Sequence, residues 1–490
     1  MDTRTDSGIK NLTEKIKALP YRRKAATGKF QTGFQGKLRD YQKEGVLFLE
    51  SLYEIGMGGI LADDMGLGKT IQCLTFLDRL ISNQKKDHLI LIAGPLASIS
   101  VWKKESEKFF QNLEVMVWHG ADRNKTVLPK RGIILTTYGT LSRDFEEWKN
   151  KISFDIAILD EAQNLKNYRS LNSHAVRQTK SNVYFCLTGT PIENNLLDLW
   201  SLFDIFFPGY LGKKDGFQKS FSDSNRNSHK LLKEKVEPFI LRRTKENVLT
   251  ELPSRTEIFV PVAMTEEQRK FYEEARKRAA IELANAGRDY LMKLLPHLTR
   301  LRRIACHPEI GNPMKTDPLL SGKFQHLQEV LDGTISSSSG ILIFSQFADV
   351  LKICGRMLDK MGHEYHYLDG STKMTEREKL VANFQNGSKH IFLISLKAGG
   401  TALTLHRADT VMHLDPWWNP AVERQASDRA HRIGQKRKVF VYKIYSEDSI
   451  EEKVLELQKK KKEIFDSIFE GNFEISSPIT RLELQELLER

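Results

Sequence analysis

The run Ala62-Asp63-Asp64-Met65-Gly66-Leu67-Gly68-Lys69-Thr70 constrains the fold more than any other stretch of this chain. A short apolar segment, Gly58 to Ala62, leads into it, and Ile71 to Leu77, continued by Leu80 and Ile81, leaves it with helical spacing. Strand, glycine loop and helix is the order in which an α/β sheet builds an anion site. Glycines let backbone N–H groups turn inward, and the helix that follows presents its positive end. On that reading Gly66 and Gly68 shape the loop, Lys69 reaches the terminal phosphates of a nucleotide, and the Thr70 hydroxyl holds a magnesium ion. The full pattern G-x-x-x-x-G-K-[ST] wants glycine at position 63, where this chain carries Asp63. A glycine-rich turn that merely caps a helix is the plainer alternative, so the loop needs partners elsewhere.

The first partner is a carboxylate pair. Ile156 to Leu159 reads as a buried strand running into Asp160 and Glu161, which places both groups at the sheet edge where α/β ligands bind. Asp160 suits the magnesium ion and Glu161 the task of orienting and deprotonating an attacking water. The pair could instead only cap the next helix. Thr188-Gly189-Thr190-Pro191 follows a strand at Tyr184 to Leu187 and offers hydroxyls to the same edge, or a tight turn. Upstream, Gln42 in Leu38-Arg39-Asp40-Tyr41-Gln42 has an amide able to donate to and accept from the edge of adenine. Far downstream, a helix over Glu423 to Gln435 would put Gln425, Asp428, Arg429 and Arg432 on one face. Its two arginines would neutralise charge developing on a γ-phosphate, unless the face is simply exposed and salt-bridged.

A chain of 490 residues has room for two or more cored domains. Strands predicted at Leu89 to Ala93, Gly132 to Thr136, Ile156 to Leu159 and Tyr184 to Leu187 alternate with helices, the pattern of a parallel sheet. Thr265 to Cys306 is rich in Glu, Arg, Ala and Leu and reads as helices. A second alternating block has strands at Ile341 to Phe344, Ile391 to Ile394, Thr410 to Leu414 and Val439 to Ile444, followed by a charged helix from Lys453 to Phe469. No apolar run approaches the roughly 20 residues that span a bilayer, and the polar N-terminus does not read as a secretory signal. Cys73, Cys186, Cys306 and Cys354 are scattered without a C-x-x-C pair, which speaks against zinc and disulfides and for a reducing, intracellular setting. A net charge of +12 favours a polyanionic partner. The basic runs lie at Leu241 to Lys245, Arg300 to Arg303, Lys436 to Lys438 and Lys459 to Lys462.

Taken together and in order, LRDYQ, ADDMGLGKT, LIAGP, ILTTYGTL, LDEAQNLKN, LTGTPIENN, ILIFSQF, YLDGST, ISLKAGG, LDPWWNPA and ERQASDRAHRIGQKRKV resemble the Swi/Snf-type DNA-dependent ATPases of helicase superfamily two. PFILRRTK (Pro238 to Lys245) and RIACHP (Arg303 to Pro308) mark that family rather than helicases in general, and Asp at position 63 is ordinary in it. The resemblance implies an α/β fold of two RecA-like lobes, each a mostly parallel sheet flanked by helices, with helical insertions. Its implied divisions are an N-terminal extension (1–37), an ATP-binding lobe (38–250), a helical insertion and linker (251–322), a C-terminal lobe (323–470) and a tail (471–490).

It further implies ATP and Mg2+ bound between the lobes, with Gln42, Gly66, Gly68, Lys69, Thr70, Asp160 and Glu161 from one and Gln425, Arg429 and Arg432 from the other. The implied partner is double-stranded DNA, gripped through the loops of Thr137, Ser345 and Lys397 and approached by Trp418, although Trp417 and Trp418 serve equally as core aromatics. A monomeric motor that displaces or remodels DNA-bound proteins follows, working in the cytoplasm or nucleoid of a bacterium or the nucleus of a eukaryote. A strand-separating DNA or RNA helicase is the rival enzyme, and a nucleic-acid-binding scaffold with a relic ATP site the rival of another class. Where the family commonly has G-L-N-L, this chain has Ala402-Leu403-Thr404-Leu405, which puts the DNA contacts of that loop in question.

Overall fold

A computed structural model of the chain describes residues 30, 32–83, 87–111, 113–120, 130–149, 151–189, 196–221, 226–249, 251–284, 290–310, 316–399, 403–456 and 458–459. Two compact units divide it, with the boundary between Thr250 and Glu251.

In the first unit β1 (Gly59–Leu61), β2 (Leu89–Gly94), β3 (Val115–Trp118), β4 (Gly132–Thr137), β5 (Phe154–Leu159), β6 (Ser181–Leu187) and β7 (Ile240–Leu241) form one sheet. Their order is β3-β4-β2-β5-β6-β1-β7 and every pairing is parallel. Parallel sheets carry helices on both faces, so their central strands need apolar residues at every position. β2, LILIAG, meets that demand and is buried throughout. The register then aligns the strand ends: Leu61 lies opposite Leu187, and Leu159 opposite both Ala93 and Cys186. The residues that come next, Ala62, Asp160 and Thr188, therefore leave the sheet at one carboxyl edge.

In the second unit β8 (Arg255–Val262), β9 (Ile341–Ser345), β10 (Tyr365–Leu368), β11 (Ile391–Ser395), β12 (Thr410–His413) and β13 (Val439–Ser446) make another all-parallel sheet, ordered β10-β11-β9-β12-β13-β8. Alternate strand residues sort into two cores, as a period of two requires. Leu342, Phe344, Phe392, Ile394 and Val411 belong to one, and Ile341, Ile343, Ile391, Leu393 and Met412 to the other.

The segment 251–322, expected as helical insertion and linker, opens instead with a strand of this sheet. β8 pairs with β13 from Arg255↔Val439 to Val262↔Ser446. Its sequence, RTEIFVPV, has the mixed polarity of a half-exposed edge strand, where Pro261 does no harm. Helices follow at Glu266–Ala284, Tyr290–Cys306 and Gly322–Thr334. The charged helix expected from Lys453 runs through residues 450–456 and 458–459, and its remainder lies outside the described residues. Among the described residues no helix is long and apolar enough to cross a membrane.

The end of β12 buries an imidazole. His413 stacks on Phe344 at 5.4 Å between ring centroids, and its Nε2 lies 2.8 Å from Ser427 Oγ. Burial, helped by the charge of Lys443, pushes its pKa down to about 3. The folded chain therefore keeps His413 neutral where the unfolded chain protonates it, and stability present above pH about 6.5 is lost as pH falls toward 3. We expect wild-type protein to lose about 1 kcal/mol per pH unit below that point through this residue, and His413→Gln to flatten that part of the profile. Chemical denaturation at a series of pH values between 7 and 5 measures the difference.

Candidate nucleotide-binding site

The loop after β1 turns through Gly66 (φ 88°) and Gly68 (φ 77°), a backbone region that favours glycine. Space enforces the same choice at Gly68, where a Cβ would come within 2.6 Å of Gln42 Nε2. The helix Lys69–Asn83 begins at once, with Thr70 in its first turn. Lys69 folds over its own loop, its Nζ donating to the carbonyls of Asp63 (2.6 Å) and Asp64 (3.3 Å).

Gln42, expected to read the edge of adenine, also reaches the loop. Its Nε2 donates to Leu67 O at 3.3 Å and its Oε1 accepts from Arg39 N at 3.0 Å. With its carbonyl and one N–H engaged by the chain, it buttresses the phosphate loop. Gln72 donates to the same Leu67 carbonyl at 3.3 Å.

Asp63, the residue at odds with the full glycine pattern, is completely buried. Arg243 grips it with Nε–Oδ1 at 3.0 Å and Nη2–Oδ2 at 2.6 Å, across 180 positions of sequence. Arg243 also donates to Gln72 Oε1 at 2.9 Å and to the Tyr41 carbonyl. By sequence this arginine is only a member of a basic run and of a family mark. The signal that points to it is an acidic residue standing where the loop wants glycine, which needs a cation to bury it.

At the end of β5, Asp160 Oδ2 accepts from Trp102 Nε1 at 2.9 Å and Oδ1 from Glu161 N at 3.0 Å. Burial and the neighbouring Glu161 charge raise its pKa to about 6, while the Trp102 hydrogen bond and Lys69 pull the other way. Lys69 is thus close enough for its charge to act on Asp160. Glu161 adopts a left-handed backbone (φ 48°, ψ 52°), a conformation that costs a non-glycine residue about 1–3 kcal/mol. Its Oε2 accepts from Gln163 Nε2 at 2.7 Å, and Gln163 Oε1 accepts from Thr188 Oγ1 at 2.8 Å. Thr188 therefore reaches Glu161 through one amide. Thr190 and Pro191 lie outside the described residues.

In the second unit the expected long helix stops early. It spans Pro420–Ser427, so Gln425 is helical but Arg429 and Arg432 lie in the turns that follow. Tertiary bonds explain the stop. Asp428 pairs with Arg255 at 3.2 Å, His431 Nε2 lies 2.8 Å from Pro253 O, and Gln435 Nε2 donates to His406 O (2.9 Å) and Ala408 O (2.7 Å). Arg429 is 2% exposed and its carbonyl accepts from Leu405 N at 3.0 Å. Arg432 Nη1 donates to Leu403 O (3.2 Å) and Thr404 Oγ1 (3.1 Å). The departure from the family pattern at Thr404 therefore touches an arginine of the candidate site.

Two expected DNA contacts are occupied within the chain. Thr137 caps the helix Tyr138–Trp148, accepting from Thr140 N (3.1 Å) and donating to Thr140 Oγ1 (2.9 Å). Ser345 is fully buried and donates to Asp415 Oδ1 at 2.5 Å. Both hydroxyls hold their own loops. Trp418 shares the guanidinium of Arg302 with Trp417 and Phe347, at 5.1, 5.6 and 5.8 Å from the three rings. Both tryptophans are half-buried, and each makes a cation–π contact with Arg302. Lys397 falls in Leu396–Gly399, and its side chain lies outside what is described.

With this geometry in view, the comparisons with known proteins define a class. An SNF2-related domain matches residues 41–310, and a helicase conserved C-terminal domain matches 322–434. The chain belongs to the SNF2-related family. It is similar to the putative ATP-dependent helicase/translocase YwqA of Bacillus subtilis, 36% identical over 513 aligned positions that take in 100% of this chain and 55% of that protein. It is also similar to the human SWI/SNF-related matrix-associated actin-dependent regulator of chromatin subfamily A member 1, at 34% identity over 93% of this chain and 46% of that protein. The chain spans about half the length of the curated relatives it matches. Among solved structures, the Sulfolobus solfataricus SWI2/SNF2 ATPase core in complex with dsDNA shares 33% identity, covering 94% of this chain and 98% of that one, with a TM-score of 0.46.

Trp102→Phe removes one N–H from a buried carboxylate and little volume. We expect it to destabilise the first unit by about 1–2 kcal/mol at pH 8, where Asp160 is charged and needs the donor, and by less at pH 5, where it is protonated. Denaturation of both proteins at the two pH values in metal-free buffer checks the sign.

Proposed function

We propose that the chain is a duplex-DNA-dependent ATPase that travels along DNA without separating its strands and displaces or remodels proteins bound there. One observation carries the ATP half of the reading. The glycine loop with Lys69, and the carboxylates Asp160 and Glu161, leave one parallel sheet at the same edge.

In this reading the loop N–H groups and Lys69 bind the β- and γ-phosphates. Thr70 and Asp160 are the side chains that would hold a magnesium ion, and Asp160 fits the role as a half-buried carboxylate held by neutral donors, the Trp102 indole, the Glu161 N–H and the Ser98 hydroxyl. Among the described residues no group of three or more His, Cys, Asp or Glu gathers into a metal cage, as suits an ion that takes few protein ligands and keeps its waters. Bound there, the ion would offset charge on the phosphates. Glu161, held by Gln163 and its strained backbone, orients the attacking water and takes its proton. Arg429 and Arg432 belong to the second unit and stabilise charge on the transferred phosphoryl group, so turnover requires both units. Thr137, Ser345, Lys397 and Trp418 are the candidate DNA contacts. Intact Lys69, Asp160, Glu161, Arg429 and Arg432 speak against a relic ATP site.

The decisive measurement is ATP turnover with duplex DNA, single-stranded DNA, RNA and no nucleic acid. Duplex DNA should stimulate most, and equal rates with and without DNA would sink the proposal. Displacement of a triplex strand without unwinding of a forked duplex separates translocation from strand separation. Glu161→Gln should retain ATP binding and lose turnover by about a hundredfold or more; undiminished turnover removes Glu161 as the base. Arg432→Ala should lower kcat by about a hundredfold or more while leaving nucleotide affinity within a few-fold, and the opposite split reassigns it to binding.

A further inference from the structure

We propose that Arg243 is a positioning residue of the nucleotide site, whose grip on Asp63 holds the phosphate loop in its binding conformation. The inference rests on the ATP reading of that loop and adds a residue that the reading does not use.

A carboxylate sealed from water is strongly unfavourable unless it is paired and its lone pairs are filled. Asp63 receives two N–H groups of the Arg243 fork and a third from Gln72 Nε2 at 3.1 Å. A planar guanidinium meeting a carboxylate in this way fixes orientation as well as charge. What it orients is the backbone that Lys69 leans on, because the Asp63 carbonyl is the nearer acceptor of the Lys69 ammonium.

The arginine's own backbone adds to the hold. Ala62 N donates to Leu241 O at 2.7 Å and Asp64 N to Arg243 O at 3.0 Å, while Lys245 N donates to Asp64 Oδ2 at 3.1 Å. Residues 241–245 thus run beside 62–64 as a strap, bonded at the entry to the loop. On the far side Gln72 links Arg243 to the Leu67 carbonyl, where the loop turns. Both limbs of the loop therefore depend on one guanidinium. Gly45 leaves room for the junction: a Cβ there would overlap Gln72 Oε1 and press on Arg243 Nη2 at 2.9 Å.

A brace that only stabilises the fold would lower the melting temperature and leave nucleotide affinity alone. Arg243→Lys keeps the charge and loses the fork, Asp63→Asn keeps the shape and loses the charge, and Gly45→Ala displaces Gln72 with every charge intact. Each is compared with the wild-type chain for melting temperature without nucleotide, for the Kd of a fluorescent ATP analogue without DNA, and for KM and kcat with saturating duplex DNA. We expect each folded variant to raise Kd and KM about tenfold and to keep kcat within about threefold. The Arg243→Lys/Asp63→Asn double variant should bind no worse than the poorer single, because one interaction is being removed twice. Unchanged Kd in folded variants, or additive losses in the double, overturns the proposal. Should Arg243→Lys fail to fold, Gly45→Ala and Asp63→Asn decide the matter by the same readouts. Wild-type protein that binds no ATP analogue overturns the ATP reading itself, an outcome seen in a different arm from any defect of the variants.

Discussion

A carboxylate removed from water must be supported by the chain around it; Asp63 in the phosphate loop is sealed in this way, and Asp160, half-buried at the same sheet edge, makes part of the same demand. They are supported in opposite ways. Asp63 meets a full positive charge, in bidentate geometry, and its demand for a counter-ion is met within the fold. Asp160 is bonded by neutral donors, and burial together with the neighbouring Glu161 charge raises its pKa to about 6 against their pull. The first arrangement fixes the shape of the loop. The second leaves a half-buried carboxylate at the same sheet edge, where the proposed magnesium role would use it. Placing the two a loop apart lets one unit be rigid and receptive at once.

The second unit follows another logic. Its arginines are set in a turn clasped to β8 and to the 403–408 segment, so their placement depends on the ends of a sheet rather than on the face of a helix. The half-buried aromatic pair after β12 gathers around Arg302. Side chains that sequence order offers to DNA also hold their own loops here, so backbone N–H groups and exposed cations join them as means of gripping a phosphate chain.

What can be read in the chain without its structure tracks how strongly burial writes itself into sequence. Central strands such as Leu89–Gly94 and Ile391–Ser395 are apolar at nearly every position and are legible to within a residue or two. Edge strands are not. Val115–Trp118 and Arg255–Val262 face water on one side, and Ile240–Leu241 has two residues, too few for a period. The glycine loop and the Asp160–Glu161 pair are legible because their chemistry demands fixed neighbours. Trp102 and Arg243 are not legible as partners, since a hydrogen bond across 58 or 180 positions leaves no local pattern. Gln42 and the Arg429–Arg432 turn carry bonds that their spacing does not reveal, to the oxygens of Leu67, Leu403 and Thr404.

The posture of Lys69 has a consequence for which anions this loop admits. Its ammonium already rests on two carbonyl oxygens, so two of its three N–H groups are engaged and one is left to reach outward. In the proposed ATP role a polyphosphate chain would meet that donor together with the loop N–H groups, whereas a lone chloride or inorganic phosphate would engage fewer of them. The posture of one side chain thus favours a ligand long enough to span several donors.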